Sequence, residues 1–227
     1  MSITRPRRGL ASVAVAIVAS AVPAIAAAQA GAATLSVGSA CYVNANVGVG
    51  APITVTGAGF TPGDQIEIDG TGVFALTSAD ANGNISVTTQ GPILDKIGPG
   101  TETFALTAND QTALVTNPVA QASVTMANLA ISTSPSSAKP TTKVRWRASG
   151  FRPGRLVYAH YVHRGHAVAT ARLGRAKGAC GLMSVKARLY PNGHPRYTTY
   201  KLQIDSARRY SAHASPKVVN SLTIFRF

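Results

Sequence analysis

Three sets of residues in this 227-residue chain carry side chains able to do chemistry: a histidine cluster, a few carboxylates and two cysteines. His160, His163 and His166 lie close enough together to suggest a metal site. On a strand, however, 160 and 163 point to opposite faces, and Arg164-Gly165 marks a turn, so the spacing matches no zinc pattern. Asp80, Asn82 and Asn84 alternate like the opening of a calcium loop. The glycine comes too early and no bidentate Glu follows, which leaves an ordinary turn as the expectation. Neither a metal nor a cofactor is expected.

Hydrolytic chemistry finds no better footing. No serine sits on a Gly-flanked elbow, and no phosphate-cradling glycine loop or nicotinamide fingerprint is present. Glu67 and Asp69 alternate with Ile66 and Ile68, which reads as a solvated strand face. Residues 128–227 contain one carboxylate, Asp205, too few for a paired-acid glycosidase site. Catalysis is not expected.

Charge is the more informative chemistry. Residues 31–127 hold one basic and seven acidic residues, net −6, whereas residues 128–227 hold 18 basic residues and one acid, net +17. In residues 143–148 the period places Lys143, Arg145 and Arg147 opposite Trp146, and Lys186 and Arg188 alternate with Val185 and Ala187. With Trp146 in the core, these five cations form outward rows able to hold phosphates, acidic sugars or other polyanions, with Tyr158, Tyr161, Tyr190, Tyr197, Tyr200 and Tyr210 beside them for stacking. Docking of the acidic half onto the basic half is the competing use of the charge.

These side chains need elements to hold them, and an internal repeat supplies the plan. Ile53 to Gly63 (ITVTGAGFTPG) recurs as Val144 to Gly154 (VRWRASGFRPG); Gly83-Asn84-Ile85-Ser86-Val87 recurs as Gly181-Leu182-Met183-Ser184-Val185; and Thr103-Phe104-Ala105-Leu106 recurs as Thr199-Tyr200-Lys201-Leu202. Alternation at 53–56 and 143–148 gives half-buried strands. Pro62-Gly63 and Pro153-Gly154 suit the centre of type II turns, each preceded by a Phe that plugs the core. Asp80-Ala81-Asn82-Gly83 reads as a hairpin turn between Val73–Thr77 and Ile85–Thr89. No amphipathic helical stretch appears. The expected fold is all-β, two tandem immunoglobulin-like β-sandwiches of roughly seven strands each, an acidic one over 31–130 and a basic one over 131–227, with a linker at Ser132 to Lys139.

The GFTPG and GFRPG segments at 59–63 and 150–154, with the Asp80–Asn84 turn, resemble the tandem Ig-like domains of secreted bacterial proteins, TIG-type modules included. The first copy is also similar to neocarzinostatin-type apoproteins, although it lacks their two intradomain cysteine pairs. The resemblance implies an Ig-like fold and a secreted location.

Each copy carries one cysteine, Cys41 and Cys180, so neither can hold an internal disulfide. In a seven-strand topology, Cys41 follows the first strand and Cys180 lies in a turn at the facing pole, which points to an interdomain bridge. Free thiols and an intermolecular bridge are the alternatives. The N-terminus has Arg5, Arg7 and Arg8, an apolar run from Leu10 to Val22 and small residues through Ala30, the pattern of a secretory signal peptide over 1–30. A retained anchor is its alternative. Together these features describe a secreted or cell-wall-associated, non-catalytic structural or interaction protein. The alternatives are a binder of anionic cell-surface polymer (wall polymer, acidic polysaccharide or extracellular nucleic acid) through the basic half, and a small-molecule carrier.

Overall fold

The structure is a computed structural model that describes residues 32–46, 48–112, 119–191 and 195–225. The leader expected over 1–30 lies outside the described residues. The first half contributes β1 (Thr34–Val37), β2 (Tyr42–Asn44), β3 (Pro52–Ala58), β4 (Gln65–Gly70), β5 (Val73–Ser78), β6 (Ile85–Gln90), β7 (Thr101–Asp110) and β8 (Ala120–Asn128). The second contributes β9 (Ala130–Ser134), β10 (Lys143–Ser149), β11 (Leu156–His163), β12 (His166–Arg175), β13 (Met183–Arg188), β14 (Thr199–Asp205) and β15 (Lys217–Thr223). The fold is all-β and sandwich-like. Sheet β1-β3-β6 faces sheet β2-β8-β7-β4-β5 across one core, and sheet β13-β10-β9 faces sheet β12-β11-β14-β15 across another. The two three-stranded sheets correspond strand for strand, as do β8-β7-β4-β5 and β15-β14-β11-β12. β2 alone has no counterpart.

Period-two patterning explains the layers. Ile53, Val55, Ile66 and Ile68 are fully buried while Thr54 and Glu67 between them are not. Each such burial contributes about 1.5–3 kcal/mol. Phe60 and Phe151 lie in their respective cores beside Gly63 and Gly154, whose φ values of 84° and 76° fit the type II turn.

Two sequence expectations need correction. The Asp80–Gly83 turn does not close a hairpin, because β5 pairs with β4 and β6 pairs with β3 in the opposite sheet. It is a corner between sheets, and Cys180 sits in the equivalent corner between β12 and β13. Turn chemistry is the same in both cases: the Asp80 carboxylate accepts the Asn82 and Asn84 amides at 2.8 and 2.9 Å, which lowers its pKa. What decides is burial, since the two strands must face each other across the core. The linker expected at 132–139 is also displaced. Residues 130–134 are β9, paired with β10, and a single residue, Leu129, separates β8 from β9.

The corners explain why a glycine recurs in both copies. Gly83 and Gly181 have φ of 74° and 58°, and a Cβ there would approach the carbonyl oxygens of Phe60 and Phe151 to 2.2 and 1.6 Å. Gly181→Ala is therefore expected to cost more than about 1 kcal/mol, through both strain and displacement of Phe151. Urea unfolding of the variant checks this, with an unchanged midpoint contradicting the packing account.

Candidate functional site

The basic face is built on β10 and β13. Val144, Trp146 and Ala148 are buried, while Lys143, Arg145 and Arg147 are exposed on the other side of the strand. In β13, Lys186 and Arg188 are exposed in the same way. The antiparallel register then sets Lys143 directly opposite Arg188 and Arg145 directly opposite Lys186. Directly opposed Cβ atoms in such a pair lie about 5 Å apart, and like charges there are destabilising. Among the described residues none of the five cations joins an ion pair. On the other flank Arg145 and Arg147 face Ser134 and Ser132 of β9. The face runs on to a cleft of about 450 Å³ at the seam between the halves, where Arg147 and Lys177 stand across from Pro99 and Gly100.

Five of the six tyrosines lie away from this face, and Tyr197 is exposed between β13 and β14. Tyr161, Tyr190 and Tyr200 are core residues, with ring centroids 4.8 Å apart for 161–190 and 5.6 Å for 190–200. The Tyr161 hydroxyl donates to Leu189 O at 2.6 Å, and burial holds its pKa well above the usual phenol range. Tyr158 belongs to β11 in the opposite sheet, and Tyr210 packs edge-on against His160. Aromatic residues in a basic strand-rich segment can serve either purpose, and here the second core took Tyr161, Tyr190 and Tyr200.

The seam itself is bonded. Cys41 and Cys180 form a disulfide with Cα atoms 5.3 Å apart, and no described cysteine is free. Beside it the Ser149 hydroxyl donates to Asn128 O at 2.6 Å and accepts from Gly100 N at 3.2 Å, and Leu129 N donates to Asn44 O. Gly150 allows this approach: with φ of 81°, a Cβ there would come within 2.7 Å of Leu129 Cα.

One buried polar group is not legible from the sequence. His160 and Asp205, 45 residues apart, meet at 3.3 Å, both essentially without solvent exposure. His160 Nε2 also lies 3.0 Å from Ala207 O, an acceptor only, so Nε2 carries a proton. Asp205 further accepts from Gln203 Nε2 and from Ala207 N, each at 2.7 Å. The 206–211 segment roofs the outer side of β11 and β14, which is why alternation fails at 159–162 and 202–205. Burial alone would raise the Asp205 pKa, but the hydrogen bonds from His160, Gln203 and Ala207 outweigh it and hold the pKa below the ordinary 3.8. That sign means the carboxylate stabilises the fold above pH 3.8 and loses its contribution as pH falls through the lower folded value. Asp205→Asn is expected to lose roughly 1–3 kcal/mol near neutral pH. The gap between its melting temperature and that of the parent should close in acid, and a constant gap across pH would contradict the assignment.

The other residues weighed for chemistry are scattered. His163 and His166 face each other across the two-residue Arg164-Gly165 turn of the β11–β12 hairpin, away from the buried His160 network. No group of three or more His, Cys, Asp or Glu able to hold a metal occurs among the described residues. Glu67 and Asp69 stand on the solvent face of β4, opposite Leu76 and Phe74 of β5. Sequence reasoning passed over Asp64, whose carboxyl is raised in pKa by partial desolvation and by the neighbouring Asp110. No helix among the described residues is long and apolar enough to cross a membrane.

No protein-family model matches the chain, and no curated protein matches it. Among solved structures it is similar to a Ca²⁺-stabilised adhesin that helps an Antarctic bacterium bind ice, at 17% identity and a TM-score of 0.34, covering 87% of this chain and 49% of that one. It is likewise similar to a putative membrane-anchored protein from Corynebacterium diphtheriae, at 10% identity and a TM-score of 0.32, covering 86% of this chain and 57% of that one. A third is the fibronectin(III)-like modules of Clostridium thermocellum CbhA, at 10% identity and a TM-score of 0.25, covering 84% of this chain and 94% of that one. The chain thus spans about half the length of the first two. These likenesses are of fold alone.

Proposed function

We propose that this protein is exported and acts outside the cell by binding rather than catalysis, as two Ig-like sandwiches, 31–130 and 131–227, of which the second holds an anionic polymer. The observation that carries the reading is the register of β10 and β13, which sets Lys143 opposite Arg188 and Arg145 opposite Lys186, with no ion pair to a carboxylate among the described residues. A row of phosphates, carboxylates or sulfates would turn that repulsion into charge-assisted hydrogen bonds, bidentate at the arginines. Export is supported by the basic and apolar N-terminus and by the disulfide, a bond that persists in oxidising compartments. In this reading the −6 of residues 31–127 keeps the first sandwich off the polymer and orients the molecule on it.

The test is co-sedimentation of the intact protein with an insoluble acidic polysaccharide and with DNA-coated beads across a salt series. Retention that falls with salt and is lost when the five cations are replaced by serine is the expected result. Retention by the serine variant equal to that of the parent would overturn the reading.

A further inference from the structure

The two sandwiches build the same corner with opposite chemistry. In each, the Pro-Gly turn between facing sheets is closed by a hydrogen bond from its last residue to its first: Asp64 N donates to Thr61 O and Arg155 N to Arg152 O, both at 3.2 Å. Such a turn holds its two ends within about 7 Å at Cα, so Arg152 and Arg155 are neighbours. The adjoining strands match as well. Glu67 lies opposite Asn109 in the first copy, and Tyr158, its counterpart in the repeat, lies opposite Asp205 in the second. Asp64 therefore corresponds to Arg155, and Asp110 to Ser206. In the first copy the Asp64 and Asp110 side chains hydrogen-bond to each other. In the second, Arg152 and Arg155 are exposed and, among the described residues, join no ion pair, while the Ser206 hydroxyl is buried with no hydrogen-bond partner. A cleft of about 280 Å³ opens there, lined by Arg152, Arg155, Asp205 and Ser206 together with Ala214 and Pro216. The Asp205 Oδ1 accepts from His160 Nε2 and Ala207 N, and its Oδ2 accepts from Gln203 Nε2 alone. A carboxylate has about four lone-pair positions, which leaves one acceptor position on Oδ2.

From this geometry we infer that the cleft is a binding site for a sugar acid, a single polyhydroxylated unit that carries a carboxylate. The guanidinium groups only donate, and they take the ligand's carboxylate, bidentate at an arginine. Asp205 only accepts, so its open position takes a ligand hydroxyl. The Ser206 hydroxyl both donates and accepts; a second ligand hydroxyl gives it the partner whose lack is costly in a buried position. A fully ionised anion such as sulfate has no proton for Asp205 and meets its charge, whereas a neutral sugar leaves both guanidiniums unmatched. The cleft's volume lies at the lower end of ligand pockets, roughly 300–1,000 Å³, which suits one unit rather than a stretch of polymer. None of these residues belongs to the β10/β13 face, so the inference stands apart from the polymer reading. The unit arrives either as a free acid or as the end of an acidic polysaccharide.

Isothermal titration calorimetry of the intact protein with glucuronate tests this, with glucose, acetate and sulfate as controls. The expected result is saturable binding of glucuronate, tighter than any control by at least about tenfold. The Arg152→Ser, Arg155→Ser double variant should lose this binding, and Ser206→Ala should weaken it several-fold, with both variants shown folded by circular dichroism. Competition by an oligosaccharide ending in glucuronate would support the site and assign it to a chain end; binding of the free acid alone would support it and assign it to a soluble sugar acid. Acetate, sulfate or glucose binding as tightly as glucuronate would overturn the inference, as would no binding to the folded parent or equal binding to the double variant. Replacing the five cations of β10 and β13 by serine should leave glucuronate binding unchanged, so loss of polymer retention in that variant bears on the proposed function alone.

Discussion

Reversing charge with Arg145→Glu, Arg147→Glu and Lys186→Glu is expected to remove nearly all salt-sensitive binding to a polyanion. Five cations engaging a DNA duplex give a slope of about −4.5 in log affinity against log salt, by the counterion-release scaling of about 0.9 per neutralised phosphate. Raising salt from 50 to 200 mM should then weaken binding by about 500-fold in the parent protein. The triple variant keeps Lys143 and Arg188, which lowers the slope to about −1.8 before the added repulsion is counted. All three positions are exposed, so the fold should be unaffected beyond about 0.5 kcal/mol, with positions 145 and 186 opposing like charge in both proteins. Fluorescence anisotropy of a labelled duplex over a salt series measures the slope. A parent slope near zero, or one unchanged in the variant, would remove the β10/β13 face from consideration.

The second large effect is expected from the disulfide. Cys41 and Cys180 close a span of 139 residues. Chain-entropy scaling for a loop of that length gives at most about 5 kcal/mol of stabilisation. The bond joins two cores that are otherwise linked by Leu129 and by a few hydrogen bonds around Ser149, Asn128 and Asn44. Its loss should therefore separate the cores thermodynamically more than it loosens either one. In the Cys41→Ser, Cys180→Ser double variant we expect one calorimetric unfolding transition to become two, both at lower temperature. A single transition displaced by under 2 °C would show that the hydrogen-bonded seam couples the halves unaided.

Much of this architecture could be read from residue order alone, for reasons that particular positions make clear. Lys143 to Ala148 alternates without interruption, so the side facing water follows once Trp146 is assigned to the core. The two cysteines, one per repeat, could be paired because the topology of a sandwich fixes which loops share a pole. Local chemistry failed where two long-range arrangements use the same short signal. Asp80-Ala81-Asn82-Gly83 has the residues of a hairpin turn, and only the demand that β5 and β6 bury opposite faces makes it a corner. Ser132 to Ser134 has the composition of a linker, yet an edge strand tolerates serine when its neighbour, here β10, supplies the pairing. The His160–Asp205 pair leaves no spacing signal, because it depends on the 206–211 roof folding back over β11.

The disulfide also sets what happens to tension applied to the chain outside the two cysteines. Force entering before Cys41 and leaving after Cys180 crosses the covalent S–S bond and never enters the intervening 139-residue span. About 470 Å of contour, at roughly 3.4 Å per extended residue, is thereby withheld from extension even if both cores melt. The seven strands β2 to β8 of the first half, and β9 to β12 of the second, slacken under load without lengthening the tether, so the bond acts as a strain limiter for everything between the two cysteines.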